Sequence, residues 1–156
     1  AELYHFPLDD TAESSLQKSF DSLIPDAAHI ETNVNVEILG RDIPAKAICD
    51  DVAWFEFDAL CDGPRSQNDY IELGRLYHAV LISNVPVMGA HNDDLGRRYI
   101  NLIDEFYDRG VKVIMSADAA IPEIYSGGKL EFPFQRTTSR MLEMQSHDYL
   151  AREHKA

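Results

Sequence analysis

The order of apolar runs between residues 52 and 117 limits the possible folds more than any other feature of this sequence. VAWFEF, HAVLISNVP and VKVIMSA are short apolar runs bounded by turn-forming residues, which is typical of buried strands. The stretches between them have apolar residues at helical spacing. Strands that alternate with helices pair in parallel and are covered on both faces. The sequence therefore predicts an α/β fold with a short, mainly parallel sheet and flanking helices.

Two helices are predicted between these strands. Ser66 is expected to cap the first helix, with Asp69 as its reciprocal partner in the first turn. The second helix lies in NDDLGRRYINLIDEFYDRG, where Gly110 is well placed to end it. The apolar stripes that support these helices are Tyr70, Leu73 and Tyr77 in the first, and Leu95, Tyr99, Leu102, Ile103 and Phe106 in the second.

Further elements are predicted on both sides of this β-α-β-α-β stretch. A helix in DDTAESSLQKSFDSLIP is expected to be capped by Asp10, with Glu13 as the reciprocal partner, and to stop at Pro25. NVNVEILG and RDIPAKAI indicate an antiparallel hairpin, with its turn at residues 40–42. A last helix is predicted in TSRMLEMQSHDYL.

The predicted elements divide the chain of 156 residues into three parts. Residues 1–30 form an amino-terminal helical segment, residues 31–150 an α/β domain, and residues 151–156 a frayed tail. No apolar run approaches the roughly 20 residues that a membrane span needs, and no signal-peptide pattern opens the sequence. The first residue is Ala rather than Met, so we expect a piece of a longer or processed protein.

The charge of the chain argues against one class of partner. Its 14 basic and 27 acidic residues give a formal net charge of -13. Broad binding to a nucleic-acid backbone draws on clustered Lys and Arg, so no nucleic-acid partner is expected. The two cysteines, Cys49 and Cys61, form no CxxC motif and are consistent with a reducing cytosol.

Residues 63–70, GPRSQNDY, lie between a predicted strand and a predicted helix, where phosphate-binding loops occur. A P-loop has the pattern GxxxxGK[ST], in which backbone N–H groups and the lysine hold the phosphates. Here the second glycine and the Lys-Ser or Lys-Thr pair are missing, and Arg65 is the only cation. Two interpretations stay open: a structural turn that Ser66 caps, or a contact of Arg65 and Ser66 with a partner or an anion.

The acidic pair Glu56 and Asp58 is a second candidate site, because it ends a predicted strand. At this spacing both carboxylates would lie on one sheet face and could hold Mg²⁺, and the alternative is a solvated strand end. The six histidines form neither HxH nor HxxxH, and no cysteine lies beside one. No zinc site is expected, and no metal ligand is assigned.

FQRTTSRMLEM contains the third candidate site. Arg136 and Arg140 are four residues apart and share one face if the segment is helical. Guanidinium groups on a rigid helix can stabilise the charge of a transferring phosphoryl group. The alternative is that both arginines pair with carboxylates of this acidic chain.

Three stretches resemble the carboxy-terminal half of the ZapE-type cell-division ATPases, a family with mitochondrial members. They are FEFDALCDGPRSQNDYIELGRLYHAVLISNVPVM, RRYINLIDEFYDRGVKVIMSAD and FQRTTSRMLEMQSHDYL. The similarity runs from Val36 to Leu150 with few gaps, and its pattern LCxGPRSxxDYIEL is distinctive.

The resemblance implies an AAA-like P-loop ATPase of about twice this length. In such proteins the phosphate loop, the acidic Mg²⁺-binding motif and the polar sensor lie in the amino-terminal half, and none of these motifs occurs here. ATP and Mg²⁺ are therefore expected for the parent protein and not on this chain alone. The resemblance also makes Arg136 and Arg140 candidates for a sensor or arginine-finger role, including one toward a neighbouring subunit.

The resemblance implies partners as well as chemistry. They are the amino-terminal ATPase half, further copies of the chain, and a protein of the division machinery. It also implies a cytoplasmic bacterial location, including the inner face of the membrane. Residues 52–117 repeat the order of elements of the family's ATP core, which suggests a degenerate P-loop-like half. Two alternatives stay open: a nucleotide-independent protein-interaction module, and a Mg²⁺-dependent phosphoesterase that uses Glu56 and Asp58.

Overall fold

The structure, a computed structural model, describes residues 2–26 and 28–156, which form a six-stranded sheet with helices on both faces. Short 3₁₀ turns span Ala90–Asn92 and Ile121–Glu123. The strands are β1 (Tyr4–His5), β2 (Glu31–Ile38), β3 (Arg41–Cys49), β4 (Val52–Glu56), β5 (Ala79–Val85) and β6 (Lys112–Ala117). The α-helices are α1 (Ala12–Leu23), α2 (Phe57–Cys61), α3 (Gln67–Leu76), α4 (Asp93–Arg109), α5 (Glu131–Glu143) and α6 (His147–Leu150).

The strands lie in the order β1-β6-β5-β4-β3-β2. β4, β5, β6 and β1 pair in parallel, whereas β3 pairs antiparallel with both β4 and β2. Parallel neighbours need a crossover connection, which α2 and α3 supply after β4 and α4 supplies after β5. The predicted α/β fold, with a mainly parallel sheet preceded by a hairpin, is confirmed. β1 has only two residues, too few to show a period, and the sequence analysis missed it.

β2 and β3 form the predicted antiparallel hairpin. Its turn is Leu39–Gly40, with φ values of 51° and 80°, and Ile38 lies opposite Arg41. The predicted turn at residues 40–42 is therefore wrong by one position. Two-residue hairpin turns of this type need positive φ at both central residues, which Gly40 adopts without strain.

α1 ends before Pro25 as predicted, but its start differs from the prediction. Thr11 rather than Asp10 is the N-cap residue. The carboxylate of Asp9 accepts hydrogen bonds from the Thr11 N–H at 3.1 Å and from its hydroxyl at 2.9 Å. Glu13 does not close a capping box, because its carboxylate accepts from the Ser83 hydroxyl at 3.1 Å instead.

α3 and α4 follow their predictions closely. Ser66 precedes α3, and its N–H donates to the Asp69 carboxylate at 2.8 Å, which is the reciprocal half of a capping box. Gly110 ends α4 in the left-handed region, with φ of 69°. Both predicted apolar stripes are buried, except that Leu95 at the start of the second is half-buried. The buried residues are Tyr70, Leu73 and Tyr77 in the first stripe, and Tyr99, Leu102, Ile103 and Phe106 in the second.

The sequence analysis missed one helix and gave wrong bounds for another. α2 was not predicted, because Phe57 continues the apolar run of β4 although it begins a helix. The last helix begins at Glu131, seven residues before the predicted stretch, and ends at Glu143. A separate turn of helix, α6, follows after Ser146, whose hydroxyl accepts from the Tyr149 N–H at 3.1 Å.

Two apolar cores lie on opposite faces of the sheet. The larger one joins the sheet to α2, α3, α4, α5 and α6. On the other face, Leu16 and Phe20 of α1 pack against Trp54, Leu81 and Ile114 of the central strands. Both faces of the parallel strands are thus covered, as their continuous apolar sequence predicts.

The last residues contact the body of the molecule. The N–H of Lys155 donates to the carbonyl of Arg109 at 2.8 Å, and a ring nitrogen of His154 lies 2.6 Å from the carbonyl of Gly74. The frayed tail at residues 151–156 and the division of the chain into three parts stay predictions. Within the described residues, no helix is both long enough and apolar enough to cross a membrane.

Candidate functional site

The loop that contains Arg65 and Ser66 uses its own backbone donors. The N–H of Arg65 donates to the carbonyl of Gly63 at 2.8 Å, and the N–H of Ser66 donates to Asp69. A phosphate loop instead keeps such groups pointed at the ligand. The loop therefore forms a turn and a helix cap, as one of the two interpretations expects.

The Arg65 side chain also points back to the protein. Its Nε donates to the carbonyl of Ala59, in the middle of α2, at 3.0 Å, and one terminal nitrogen lies 3.4 Å from the carbonyl of Pro64. Ser66 is exposed. A contact of Arg65 or Ser66 with a partner or an anion stays a prediction.

Arg41 ties the hairpin to this loop. One guanidinium nitrogen lies 3.0 Å from both carboxylate oxygens of Asp69, and the other donates to the carbonyl of Pro64 at 3.0 Å. The Asp69 side chain is 1% exposed and that of Arg41 44% exposed. Since a buried carboxylate needs donors, Arg41 links the start of β3 to the loop before α3.

We expect Arg41→Ala to lower the free energy of unfolding by about 2 kcal/mol, because the buried Asp69 carboxylate then keeps only local donors. The expected loss is below the 3–5 kcal/mol of a fully buried ion pair, since Arg41 is partly in water. Urea denaturation measures it. Arg75→Ala, which removes an exposed pair with Glu72, is the control and should change stability by less than about 0.5 kcal/mol. Equal effects of the two substitutions would contradict this role of Arg41.

Arg136 and Arg140 lie on α5 and converge on one carboxylate of α4. Arg136 donates to Asp104 at 3.2 Å and Arg140 donates to its other oxygen at 2.6 Å. The guanidinium of Arg140 also lies over the Tyr107 ring, 4.8 Å from its centre. Arg136 is 64% exposed and Arg140 only 24%. The shared face that their spacing predicts is present, and Arg136 is the one free to reach another molecule.

Glu56 and Asp58 do not lie together on one sheet face, as the candidate Mg²⁺ site would need. Glu56 ends β4, whereas Asp58 lies in the first turn of α2 and is exposed. Glu56 accepts hydrogen bonds from Asn84 at 2.8 Å and from Lys46 at 3.4 Å. In the part of the chain that the structure describes, no group of three or more His, Cys, Asp or Glu side chains could hold a metal ion.

A polar network at the carboxyl ends of β4 and β5 was not foreseen from the sequence. Lys46 donates to Glu13 of α1 as well as to Glu56, and its ammonium lies over the Trp54 ring at 4.9 Å from the centre. Burial lowers the pKa of Lys46, but hydrogen bonds and charge from the two glutamates outweigh it and raise the pKa above its ordinary value. Lys46 is therefore a cation paired with both glutamates.

The same network continues into β5. The Trp54 indole N–H donates to the Ser83 hydroxyl at 2.9 Å, and Ser83 donates to Glu13. Asn84 has φ of 66°, and its N–H donates to the buried Ser116 hydroxyl at 2.9 Å. Ligands of α/β proteins bind outside the carboxyl ends of parallel strands. In this chain the polar groups at the carboxyl ends of β4 and β5 form hydrogen bonds with one another.

The start of α4 is held by a second polar cluster. Tyr125 donates to the Asp93 carboxylate at 2.5 Å, and the N–H of Lys129 donates to its other oxygen at 3.1 Å. The hydrogen bond from Tyr125, followed by that from Lys129, lowers the pKa of Asp93 below its ordinary value. The Tyr125 oxygen also accepts from the N–H of Leu130 at 2.8 Å. These bonds fix the segment that leads into α5.

The fold and these sites define an α/β protein whose strand–loop–helix junction is closed by its own side chains. The family model described as AFG1-like ATPase matches residues 1–153. The chain therefore belongs to the AFG1-like ATPase family.

Two curated relatives illustrate the similarity. The chain is 40% identical over 156 residues to the cell division protein ZapE of Escherichia coli, a match that covers 100% of this chain and 41% of that protein. It is 28% identical over 179 residues to lactation elevated protein 1 homolog B of Danio rerio, covering 94% of this chain and 36% of that protein. The chain thus spans less than half the length of these relatives. No solved structure matches it significantly.

Proposed function

We propose that this chain is the carboxy-terminal part of an ATP-hydrolysing protein, in which residues outside the chain hold ATP and Mg²⁺. The observation that carries the proposal is the family match over residues 1–153, combined with a relative more than twice as long. The loop at residues 63–66 agrees with it, because its backbone donors are satisfied internally. In this proposal, residues 52–117 are a degenerate P-loop-like half that keeps the scaffold without the phosphate cradle.

The contribution of this chain to turnover is assigned to α5. Arg136 is mostly exposed and makes one hydrogen bond to Asp104, so it can turn toward a nucleotide site formed elsewhere in the assembly. Arg140 is held by Asp104 and by the Tyr107 ring, so it orients Asp104 and supports Arg136. The arginine-finger or sensor role thus falls mainly on Arg136, in a homo-oligomer.

The cellular role is proposed from the relatives. The Escherichia coli relative is named a cell division protein. By this similarity, the parent protein acts in the bacterial cytoplasm on a partner of the division machinery, at or near the inner face of the membrane. The chain itself supplies packing, oligomer contacts and partner contacts.

We expect Arg136→Ala in the full-length protein to lower the kcat of ATP hydrolysis about 10³-fold, the scale of a lost arginine finger. Steady-state kinetics at saturating ATP measures it, and circular dichroism checks the fold. Arg75→Ala, another mostly exposed arginine in an ion pair, is the control and should leave kcat unchanged.

Two results would count against the proposal. Unchanged turnover by Arg136→Ala would remove the role of α5 and leave the family activity intact. Micromolar binding of a fluorescent ATP analogue to this chain alone would contradict a nucleotide site formed by other residues.

Of the two alternatives, one has support in the geometry. The phosphoesterase has none, because Glu56 and Asp58 lie on different elements and face different surroundings. A nucleotide-independent interaction module is supported by the hairpin, because within the described residues its outer strand β2 pairs on one side only.

A further inference from the structure

The outer edge of β2 is open. β2 is the last strand of the sheet, and within residues 2–26 and 28–156 it pairs with β3 alone. Such an edge presents unpaired N–H and C=O groups that can take up a strand from another chain. Natural proteins block edges with charged side chains, especially Lys, with Pro or with bulges. The sequence of β2, ETNVNVEI, contains neither Lys nor Pro, and its two charged residues, Glu31 and Glu37, are both acidic, which disfavours acidic strands more than basic ones.

The hairpin register shows which donors point outward. The two-residue turn is closed by Ile38 and Arg41, which form a hydrogen-bonded pair. Going away from the turn, non-hydrogen-bonded and hydrogen-bonded pairs then alternate along β2 and β3. Asn35 and Glu37 belong to the non-bonded positions, and their N–H groups point away from β3. Pro44, which has no N–H, lies opposite Asn35, as this assignment requires.

An irregularity limits the open edge to part of β2. Asn33 has φ of 52° and lies between the paired positions Thr32–Ala47 and Val34–Ala45. The regular edge therefore runs from Val34 to Ile38. Five residues are enough for one short added strand.

The charges beside this edge have no partner in the described residues. Glu37 lies directly opposite Asp42, both are exposed, and neither forms an ion pair there. Like charges directly opposite in a sheet are destabilising. A cation from another molecule would relieve this repulsion.

The tip of the hairpin adds an apolar contact. Leu39 is 57% exposed and adopts positive φ, which is uncommon for a branched side chain. Arg41, two residues after Leu39, forms an ion pair with Asp69, so the tip of the hairpin is held in place. A positioned, exposed leucine beside unpaired carboxylates favours a partner that combines apolar and basic residues.

We propose that the outer edge of β2, from Val34 to Ile38, binds an extended basic segment of a partner protein as an added strand. Backbone hydrogen bonds to Asn35 and Glu37 hold the segment, and its Lys or Arg side chains meet Glu37 and Asp42. The proposal does not rest on ATP hydrolysis, since none of these residues belongs to the site assigned to α5.

A synthetic peptide of alternating lysine and valine, about eight residues long, is the probe. Fluorescence anisotropy with this chain should give a dissociation constant below about 1 mM that weakens as salt is raised. The peptide with glutamate in place of lysine should bind at least tenfold more weakly. Hydrogen exchange should slow at the Asn35 and Glu37 amides when the lysine peptide is present.

Two pairs of variants separate strand addition from general charge attraction. Asn35→Pro removes one outward N–H and should weaken binding at least tenfold, whereas Asn35→Ala keeps this N–H and should bind like the original. The double variant Glu37→Gln, Asp42→Asn should lose most of the preference for lysine over glutamate. Circular dichroism confirms that each variant is folded.

Three outcomes would overturn the proposal. They are equal binding by Asn35→Pro and Asn35→Ala, equal binding of the lysine and glutamate peptides, or no binding of the lysine peptide at millimolar concentration.

Discussion

Phe134→Ala is expected to lower the free energy of unfolding by about 3–5 kcal/mol, the usual cost of truncating a buried aromatic residue. Phe134 is 3% exposed and stacks between two rings, with centroids 4.5 Å from Tyr125 and 6.0 Å from Tyr99. These rings connect α5 to α4 and to the segment before α5. Removing Phe134 leaves a cavity and loosens the helix that carries Arg136.

Phe132→Ala is the matched control on the same helix. Phe132 is 81% exposed, so its truncation should change stability by less than about 0.5 kcal/mol. Urea denaturation of both variants measures the difference. A loss below about 1 kcal/mol for Phe134→Ala would mean that α5 is not held by this stack.

Gly128→Ala is the second substitution with a large expected effect. A Cβ at Gly128 would collide with the Tyr125 oxygen and would lie 2.6 Å from an Asp93 oxygen and 2.9 Å from the Ala90 nitrogen. Tyr125 and Asp93 would have to separate, although their hydrogen bond fixes the start of α4. We expect a loss of about 3 kcal/mol, the upper range for overpacking, measured as a shift of the urea midpoint.

Gly127→Ala is the neighbouring control. A Cβ there meets nothing within 4 Å, but Gly127 has φ of 77°, so only backbone strain of about 1 kcal/mol is expected. If both alanine variants lost the same stability, the collision with Tyr125 and Asp93 would not be the cause.

The elements that the sequence predicted well have strong local signals. α4 has a long apolar stripe and a glycine stop, and α3 has Ser66 and Asp69 at capping positions. β5 and β6 are continuous apolar runs bounded by turn residues. Each of these signals lies within one element, so no knowledge of distant contacts was needed.

The elements that the sequence missed or misplaced depend on distant contacts. β1 exists because two residues pair with β6, whose sequence is more than a hundred positions away. α2 begins inside an apolar run, and the carbonyl of its last residue, Cys61, accepts from Arg98 of α4, 37 positions away. A single sequence carries no signal for such pairings.

For the candidate sites, too, local features were predicted from the sequence and contacts between distant residues were not. The spacing of Arg136 and Arg140 predicted their shared face, and the Ser66 and Asp69 pattern predicted the helix cap in the loop before α3. Their pairing with Asp104 could not be assigned, because the partner lies on another helix. The network around Lys46 was missed because its members are far apart in the chain and belong to no motif.

The single tryptophan gives the molecule a built-in optical probe. Trp54 lies in the smaller core, with its ring 5.8 Å from that of Phe20 and with Lys46 above it. Because Phe20 belongs to α1, the emission of Trp54 reports whether this one helix is seated on its face of the sheet. Far-ultraviolet dichroism reports mainly on the helices of the opposite face, so comparing the two signals would reveal whether the two layers melt together.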